Sequence, residues 1–211
     1  MRTLYVGDIH GCATELATLL REAAADRVVL VGDLFTKGPD PLGVWALIQE
    51  CAAEAVLGNH DDYVLSRWED PSYATGALLR ERAPELRAWL ADRPLFLEHA
   101  GVIVVHAGLH PTGGVAKTTR AMALTMRRWP PEGDSNQPFW YDAGWRGPQT
   151  VVFGHDAKRG LVRRERRGRP IAIGLDSGCV YGGRLSGWIR EEDRILSVPA
   201  LRVWREPKGG R

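Results

Sequence analysis

The chain alternates between short, nearly unbroken apolar runs and amphipathic segments, and the apolar runs share a way of ending. Leu4-Tyr5-Val6 runs into Gly7-Asp8-Ile9-His10-Gly11, and residues 28–31 run into Gly32-Asp33. Residues 55–57 lead to Gly58-Asn59-His60-Asp61, residues 102–105 to His106-Ala107-Gly108, and residues 151–153 to Gly154-His155-Asp156. Continuous β-branched runs of this length predict strands buried in a sheet. Between the first two runs, residues 12–25 carry Leu16, Leu19 and Leu20 at helical spacing, which predicts a helix. Strand, helix, strand implies a right-handed crossover between parallel strands. Pro41 opens a second helix expected to reach about Ala53, with Leu42, Trp45, Leu47 and Ile48 as its apolar positions. Residues 54–57 form the next expected strand, and 62–92 read as helices broken at Pro71 and Pro84.

Residues 94–97 and 101–105 predict two short strands around a turn containing His99. From 111 to 149 the pattern degrades, punctuated by Gly113-Gly114, Pro130-Pro131, Gly133, Pro138 and Gly147-Pro148. A helix is expected over 118–128, inside a long loop that forms a small cap over the site, since long structured loops in compact domains are usually functional. After residue 155 antiparallel character is expected: strands at 161–164 and 170–175 around a basic turn, then at 184–190, 195–199 and 201–205. The expected fold is α/β, a sandwich of sheets flanked by helices, in a single domain over residues 1–206, with a disordered tail at 207–211. No internal repeat is present.

Composition narrows the partners. A length of 211 residues suits one domain, and 44% hydrophobic content supplies an ordinary core. The formal charge of +2 is too small to point to nucleic acid or a membrane surface. No stretch approaches the ~20 apolar residues of a membrane span, and the chain starts on a strand without a signal-peptide core. Cys12, Cys51 and Cys179 form no CxxC pair and no even framework. A reduced, cytoplasmic protein is expected. The eight tryptophans sit mostly at apolar positions and read as packing.

The strand ends carry the chemistry. Ligands of such sheets gather beyond the carboxyl ends of the strands, where all five polar clusters fall. Asp8 and His10, two residues apart between glycines, can turn the same way as metal ligands. One such motif is ordinary turn chemistry; five in succession point to a metal site.

With Gly7-Asp8-Ile9-His10-Gly11, the loop from Gly32 to Gly38, Gly58-Asn59-His60-Asp61, His106-Ala107-Gly108 and Gly154-His155 in this order, the chain resembles the calcineurin-like metallophosphoesterases. More narrowly, it is similar to the phosphoprotein-phosphatase family that also holds the bacterial symmetrical diadenosine tetraphosphatases. Asp61 after Gly58-Asn59-His60, and Gly174-Leu175-Asp176-Ser177-Gly178-Cys179-Val180-Tyr181-Gly182-Gly183, favour that last branch.

The resemblance implies a four-layer α/β/β/α fold. It implies one metal on Asp8 and His10, a second on Asn59, His106 and His155, and Asp33 bridging the two. A carboxylate bridge lets two dications approach to ~3.5–4 Å, share a hydroxide and clamp a phosphoryl group. Carboxylate, amide and imidazole ligands suit manganese first, with Fe, Co, Zn or Mg as options. His60 is implied as the acid for the leaving group. Asp61 either orients His60 or is an acidic residue at a helix N-terminus.

The chain departs from the pattern of the eukaryotic-type protein phosphatases at Thr36 and Lys37, which stand where those enzymes carry Asp and Arg. Lys37 can still hold a phosphate oxygen as a point charge, without arginine's fork. Met126-Arg127 resembles a pair in the tetraphosphatase-like members, making Arg127 the expected second phosphate clamp, with Arg128 and Arg146 as rivals. Asn59 also faces substrate in this reading, and Tyr181 either lines the pocket or packs on the glycines. His110 reads as an ordinary loop residue. Cys179 and Arg184 are separated by four residues, one too few for a thiolate phosphatase loop. Residues 158–169 read as a solvated hairpin tip, with a polyanion contact as the alternative.

The expected function is therefore a dinuclear-metal hydrolase of phosphate esters or phosphoanhydrides, with attack by a hydroxide held between the metals. A dinucleoside polyphosphate such as diadenosine tetraphosphate is the leading substrate, and a phosphoprotein the alternative. A nuclease and a non-catalytic metal scaffold are further options. No feature sets an oligomeric state.

Overall fold

In a computed structural model describing residues 1–207, the chain opens with β1 (Thr3–Val6), α1 (Ala13–Ala23), β2 (Arg27–Leu30), α2 (Pro41–Glu50) and β3 (Glu54–Ala55). Three helices follow: α3 (Asn59–Ser66), α4 (Ala74–Arg82) and α5 (Leu86–Ala91). Then come β4 (Phe96–His99), β5 (Val102–Val105), α6 (Gly114–Lys117), α7 (Arg120–Thr125) and β6 (Thr150–Phe153). The chain closes with β7 (Val162–Arg166), β8 (Arg169–Gly174), β9 (Arg184–Ile189) and β10 (Arg194–Pro199). Five strands make one sheet in the order β10-β9-β1-β2-β3, and five make the other in the order β4-β5-β6-β8-β7. The expected tail at 207–211 lies outside the described residues from position 208 onward.

Both faces of both sheets are covered, which is why the central strands read as unbroken apolar runs. Along β1, Leu4 and Val6 join the core beneath the helices, while Tyr5 turns to the opposite face. Along β2, Val28 and Leu30 face the helices, and Val29 turns inward with Val31 beyond the strand. In the second sheet, Val102, Val104, Val152 and Ile173 meet that inner face, whereas Ile103, Val105, Val151, Phe153 and Ala172 point outward. This period-two alternation produces four layers: helices, sheet, sheet, and an outer layer. The outer layer is built from segment 107–145, through Leu109, Ala123, Met126, Trp140, Tyr141 and Trp145. Aromatic rings, rather than long helices, cover this second sheet.

Several expected elements are shorter. The helix expected over 118–128 is only α7, because the Ala123 carbonyl accepts from the Ala107 N–H at 2.8 Å and Met126 leaves in an extended conformation. The third strand ends at Ala55, since the Leu57 N–H turns away to the Pro94 carbonyl at 2.9 Å. The turn between β4 and β5 is Ala100-Gly101, and His99 closes β4. After residue 155 the chain is not uniformly antiparallel: β8 lies parallel to β6, and β7 is its antiparallel edge partner. The strand expected at 201–205 is an irregular strap. Its Leu201 N–H and Trp204 indole N–H both donate to Glu15 Oε1, and the backbone N–H groups of Trp204 and Arg205 donate to the Val180 carbonyl.

Leu30 is buried on the helix face of the central strand. Leu30→Ala is expected to cost about 2–5 kcal/mol, read as a lower urea midpoint at unchanged m-value. A loss below about 1 kcal/mol would show that this face relaxes rather than packs.

Candidate metal centre

All five sequence motifs, and a sixth, arrive at one end of the two sheets. β1 delivers Asp8 and His10, β2 delivers Asp33, β5 delivers His106 and β6 delivers His155, while Asn59 and His60 open α3. Three of these residues hold φ in the left-handed region: His10 at 48°, Asp33 at 56° and His155 at 72°. Strained backbone of this kind at non-glycine residues marks sites where side-chain placement outweighs local comfort. Close approach explains two glycines. A Cβ on Gly58 would lie 2.2 Å from the Asp33 nitrogen, and one on Gly154 would lie 1.9 Å from Asp8 Oδ1.

The donors converge. Asp8, Asp33 and His106 place one ligand atom each within 4.8 Å of one another, as do His10, Asp33 and His60. Asp33 belongs to both groups, with Oδ1 3.4 Å from His106 Nε2 and Oδ2 3.5 Å from His10 Nε2. Asn59 Oδ1 lies 3.0 Å from His106 Nε2 and 2.9 Å from His155 Nδ1. The His155 backbone N–H donates to the Asp8 carboxylate at 3.1 Å.

The imidazole tautomers follow from their partners. The Val31 carbonyl can only accept, so His106 Nδ1 carries the hydrogen, at 2.8 Å, and Nε2 turns a lone pair on Asn59 and Asp33. The Lys37 ammonium can only donate, at 2.9 Å from His10 Nε2, so that nitrogen is a lone pair and Nδ1 donates to Thr36 Oγ1 at 3.2 Å. His155 Nε2 is buried with no hydrogen-bond partner among the described residues. Lone pairs facing lone pairs, and a buried nitrogen facing nothing, are unfavourable until a cation stands among them. The residues fit two divalent ions sharing Asp33.

The ionisation equilibria carry the same signature. Burial, with Asp176 and Asp33 adding, holds the Asp8 carboxyl well above the usual range. Burial lifts Asp33 to about 7, and burial with the charge of Asp33 lifts Asp61 to about 7. Burial, with the charge of Asp33 adding, raises Asp176 to about 6. It lowers His60 and His106 to about 4 and His155 to about 2, and pushes His10 well below its ordinary value. Carboxylates that resist charge beside imidazoles that refuse protons are groups awaiting a different cation.

The family profile of calcineurin-like phosphoesterases matches residues 1–208. The chain belongs to that family. Its reaction is hydrolysis of a phosphoester or phosphoanhydride bond. Among its relatives in this phosphoesterase family is a symmetrical bis(5'-nucleosyl)-tetraphosphatase from Vibrio parahaemolyticus. That protein is 30% identical over 270 aligned positions, which cover 93% of this chain and 97% of the relative. One of the same name from Bordetella pertussis is 31% identical, covering 97% of both. A crystal structure described as a candidate diadenosine tetraphosphatase superposes with a TM-score of 0.82 at 39% identity, covering 94% of this chain and 93% of that one. A yeast serine/threonine phosphatase shares the fold, with a TM-score of 0.59 at 14% identity.

Around the phosphoesterase donors, the remaining candidate residues separate. Asp61 does not orient His60: its Oδ2 accepts from the backbone N–H groups of Asp33 at 2.7 Å and Gly58 at 3.1 Å, and Oδ1 accepts from Leu34 at 2.9 Å. Buried completely, it is a positioning residue that holds the Asp33 loop against the start of α3. His60 lies edge-on to His10 with ring centroids 5.1 Å apart, and its backbone N–H donates to Asp33 Oδ1 at 2.8 Å. Lys37 sits over the Tyr181 ring at 5.5 Å.

Arg127 stands at the rim, donating to the His155 carbonyl at 3.2 Å with half its side chain exposed. Arg128 is committed elsewhere, to the Gln137 carbonyl and the face of Phe139. Among the described residues Arg146 is engaged at its carbonyl, by Arg166. His110 Nδ1 accepts from the Gly113 N–H at 2.9 Å, a turn-closing role. In the basic hairpin, Arg163 pairs with Asp193 and Glu165, Arg164 pairs with Asp142, and Arg166 donates to the carbonyls of Trp145, Arg146 and Gly147. Those arginines are engaged within the chain.

Sequence reasoning missed Asp176, buried beside Asp8 and Asp33 and accepting from the Gly178 N–H at 3.1 Å. The signal was present: Ala172-Ile173-Gly174-Leu175 is a sixth apolar run ending in an acid.

Protons on Asp33 compete with metal up to about pH 7, whereas His60, His106 and His155 are already neutral above about 4. Calorimetric Mn2+ affinity of the metal-free protein is therefore expected to rise with pH through about 7 and then level off. An affinity flat between mildly acidic and mildly basic pH would contradict it. Asp61→Asn turns an amide against one of three backbone donors. It is expected to cost roughly 1–3 kcal/mol of stability and to lower turnover of good and poor leaving groups alike. A loss confined to poor leaving groups would make Asp61 part of the proton transfer.

Proposed function

We propose that this phosphoesterase hydrolyses dinucleoside tetraphosphates symmetrically, releasing two nucleoside diphosphates, with manganese as the ion pair and the cytoplasm as its setting. The observation that carries the reading is the sharing of Asp33 between two donor groups, with two cations, Lys37 and Arg127, beside them. The relatives named as symmetrical tetraphosphatases, which align over nearly the whole chain, supply the substrate class. Carboxylate, amide and imidazole donors without a thiolate suit manganese.

The ions on Asp8, His10, Asp33, Asn59, His106 and His155 would polarise the scissile phosphoryl group and make a water acidic enough to attack it. The chain supplies the rest. Lys37 and Arg127 offset the charge on the phosphoryl oxygens as it redistributes toward the transition state. His60 is the chain's proton donor to the leaving oxygen; burial keeps it neutral at pH 7 before substrate binds, and the anionic phosphate of a bound substrate would favour its protonated form. Thr36 fixes the His10 ring through Nδ1. A cleft of about 490 Å³ is lined by Arg127 together with Thr119, Met122 and Met126, a volume suited to a nucleoside.

A second reading, a phosphoprotein substrate, draws on one observation. The alignment with the Vibrio relative spans 270 positions, more than the 211 residues of this chain, so that relative carries segments this chain lacks. Fewer covering segments favour bulky substrates.

Chromatographic product analysis decides between the two, with the manganese-loaded enzyme offered diadenosine tetraphosphate and a phosphoserine peptide at equal concentration. Two ADP per tetraphosphate with the peptide intact is the expected result; phosphate from the peptide alone would overturn it. His60→Asn is expected to slow substrates with poor leaving groups by ~10²–10⁴-fold and activated aryl esters far less. Equal loss on both would remove His60 from the proton transfer.

A further inference from the structure

Behind the metal centre lies a second group of ligand-type side chains that the hydrolytic chemistry does not use. Cys12 stands at the N-cap of α1, two residues past His10; Glu15 lies in the first turn of the same helix; Cys179 sits in the loop after β8. The two sulfurs and a Glu15 carboxylate oxygen all lie within 4.8 Å of one another. Cys12 is 0% exposed, and Glu15 and Cys179 are each 1% exposed. Neither cysteine is in a disulfide.

Glu15 makes this more than a pair of core thiols. Its Oε1 accepts from the Leu201 N–H at 3.0 Å and the Trp204 indole N–H at 2.9 Å. Its Oε2 is buried with no hydrogen-bond partner among the described residues. Among the described residues no lysine, arginine or histidine forms an ion pair with it. A buried carboxylate with one oxygen unsatisfied, beside two buried thiols, is a cluster of ligand-type side chains whose hydrogen bonding is incomplete.

We propose that Cys12, Glu15 and Cys179 form a metal site distinct from the catalytic pair, taking one thiophilic divalent ion of the zinc class. Two thiolates and a carboxylate oxygen are the donors such an ion selects over manganese. On binding, each thiol loses its proton to solvent and each sulfur keeps its electron pair for the bond to the metal. Two protons leave per ion, no electron is transferred, and the site carries one net negative charge. The N-terminus of α1, at Cys12 itself, favours that charge.

The ion ties together three separate stretches of chain: the loop that carries Asp8 and His10, the loop from Asp176 to Tyr181, and, through Glu15, the strap at 200–205. It is taken up as the strap closes on Glu15 during folding, and it acts as a structural staple behind the catalytic centre.

Cobalt(II) is the probe, because only a thiolate ligand gives its near-ultraviolet charge-transfer band and the catalytic donors include none. Protein refolded with Co2+ and then saturated with Mn2+ is expected to show that band at one equivalent of cobalt per chain, together with a raised Tm. Cys179→Ser is expected to abolish the band. Glu15→Gln keeps an oxygen for Leu201 and Trp204, so it is expected to retain the band but require at least about tenfold more cobalt. Absence of the band in the folded wild-type protein, its survival in Cys179→Ser, or a Cys12–Cys179 disulfide in the isolated protein would each overturn the proposal. None of these readouts depends on which phosphorylated substrate is hydrolysed.

Discussion

The structure depends on holding one carboxylate, Asp33, where its two oxygens face two different sets of donors. That demand explains much of the surroundings. Asp33 sits in a left-handed backbone conformation, its N–H is held by Asp61, and its oxygens face His10 on one side and His106 on the other. Gly58 is a glycine because a side chain there would strike Asp33. Burying this much acid without cations is unfavourable, and the raised carboxyls and lowered imidazoles register the cost. The apoprotein is thus poised against its own charge, and divalent ions resolve the conflict.

The sandwich supplies the rigidity this requires. β1, β2, β5 and β6 carry Asp8, His10, Asp33, His106 and His155 directly beyond their ends, and Asn59 opens α3, so the donors are held by regular elements rather than by a free loop. The outer layer from residue 107 to residue 145 serves two ends at once. Trp140, Tyr141 and Trp145 cover the second sheet, and the same stretch carries Arg127 to the rim of the site.

The strands, and the residues that converge at their ends, were legible because strand ends announce themselves twice, by an apolar run and by the polar residue that stops it. Val28 to Asp33 and Val102 to His106 could be read this way from the sequence alone. What was not legible depended on partners distant in the chain. Asp61 looks like a neighbour of His60, yet its carboxylate works on backbone 27 and 28 positions earlier. Asp176 follows the same strand-end rule, but its strand at 170–175 reads as one of an antiparallel series, which hid its parallel place beside β6. The strap at 201–205 has a strand's composition and lacks a strand partner along its length, so Glu15 decides its path. The arginines at 163–166 read as a charged tip, and only the fold reveals the acids that pair them.

The central claim is that Asp33 is shared by two ions. Electron paramagnetic resonance of the protein titrated with Mn2+ tests it directly, because two Mn2+ ions bridged by one carboxylate are magnetically coupled and isolated ions are not. Two coupled ions per chain, with the coupling lost in Asp33→Asn, is the predicted result. A single ion, or a pair whose coupling survives that substitution, would contradict it.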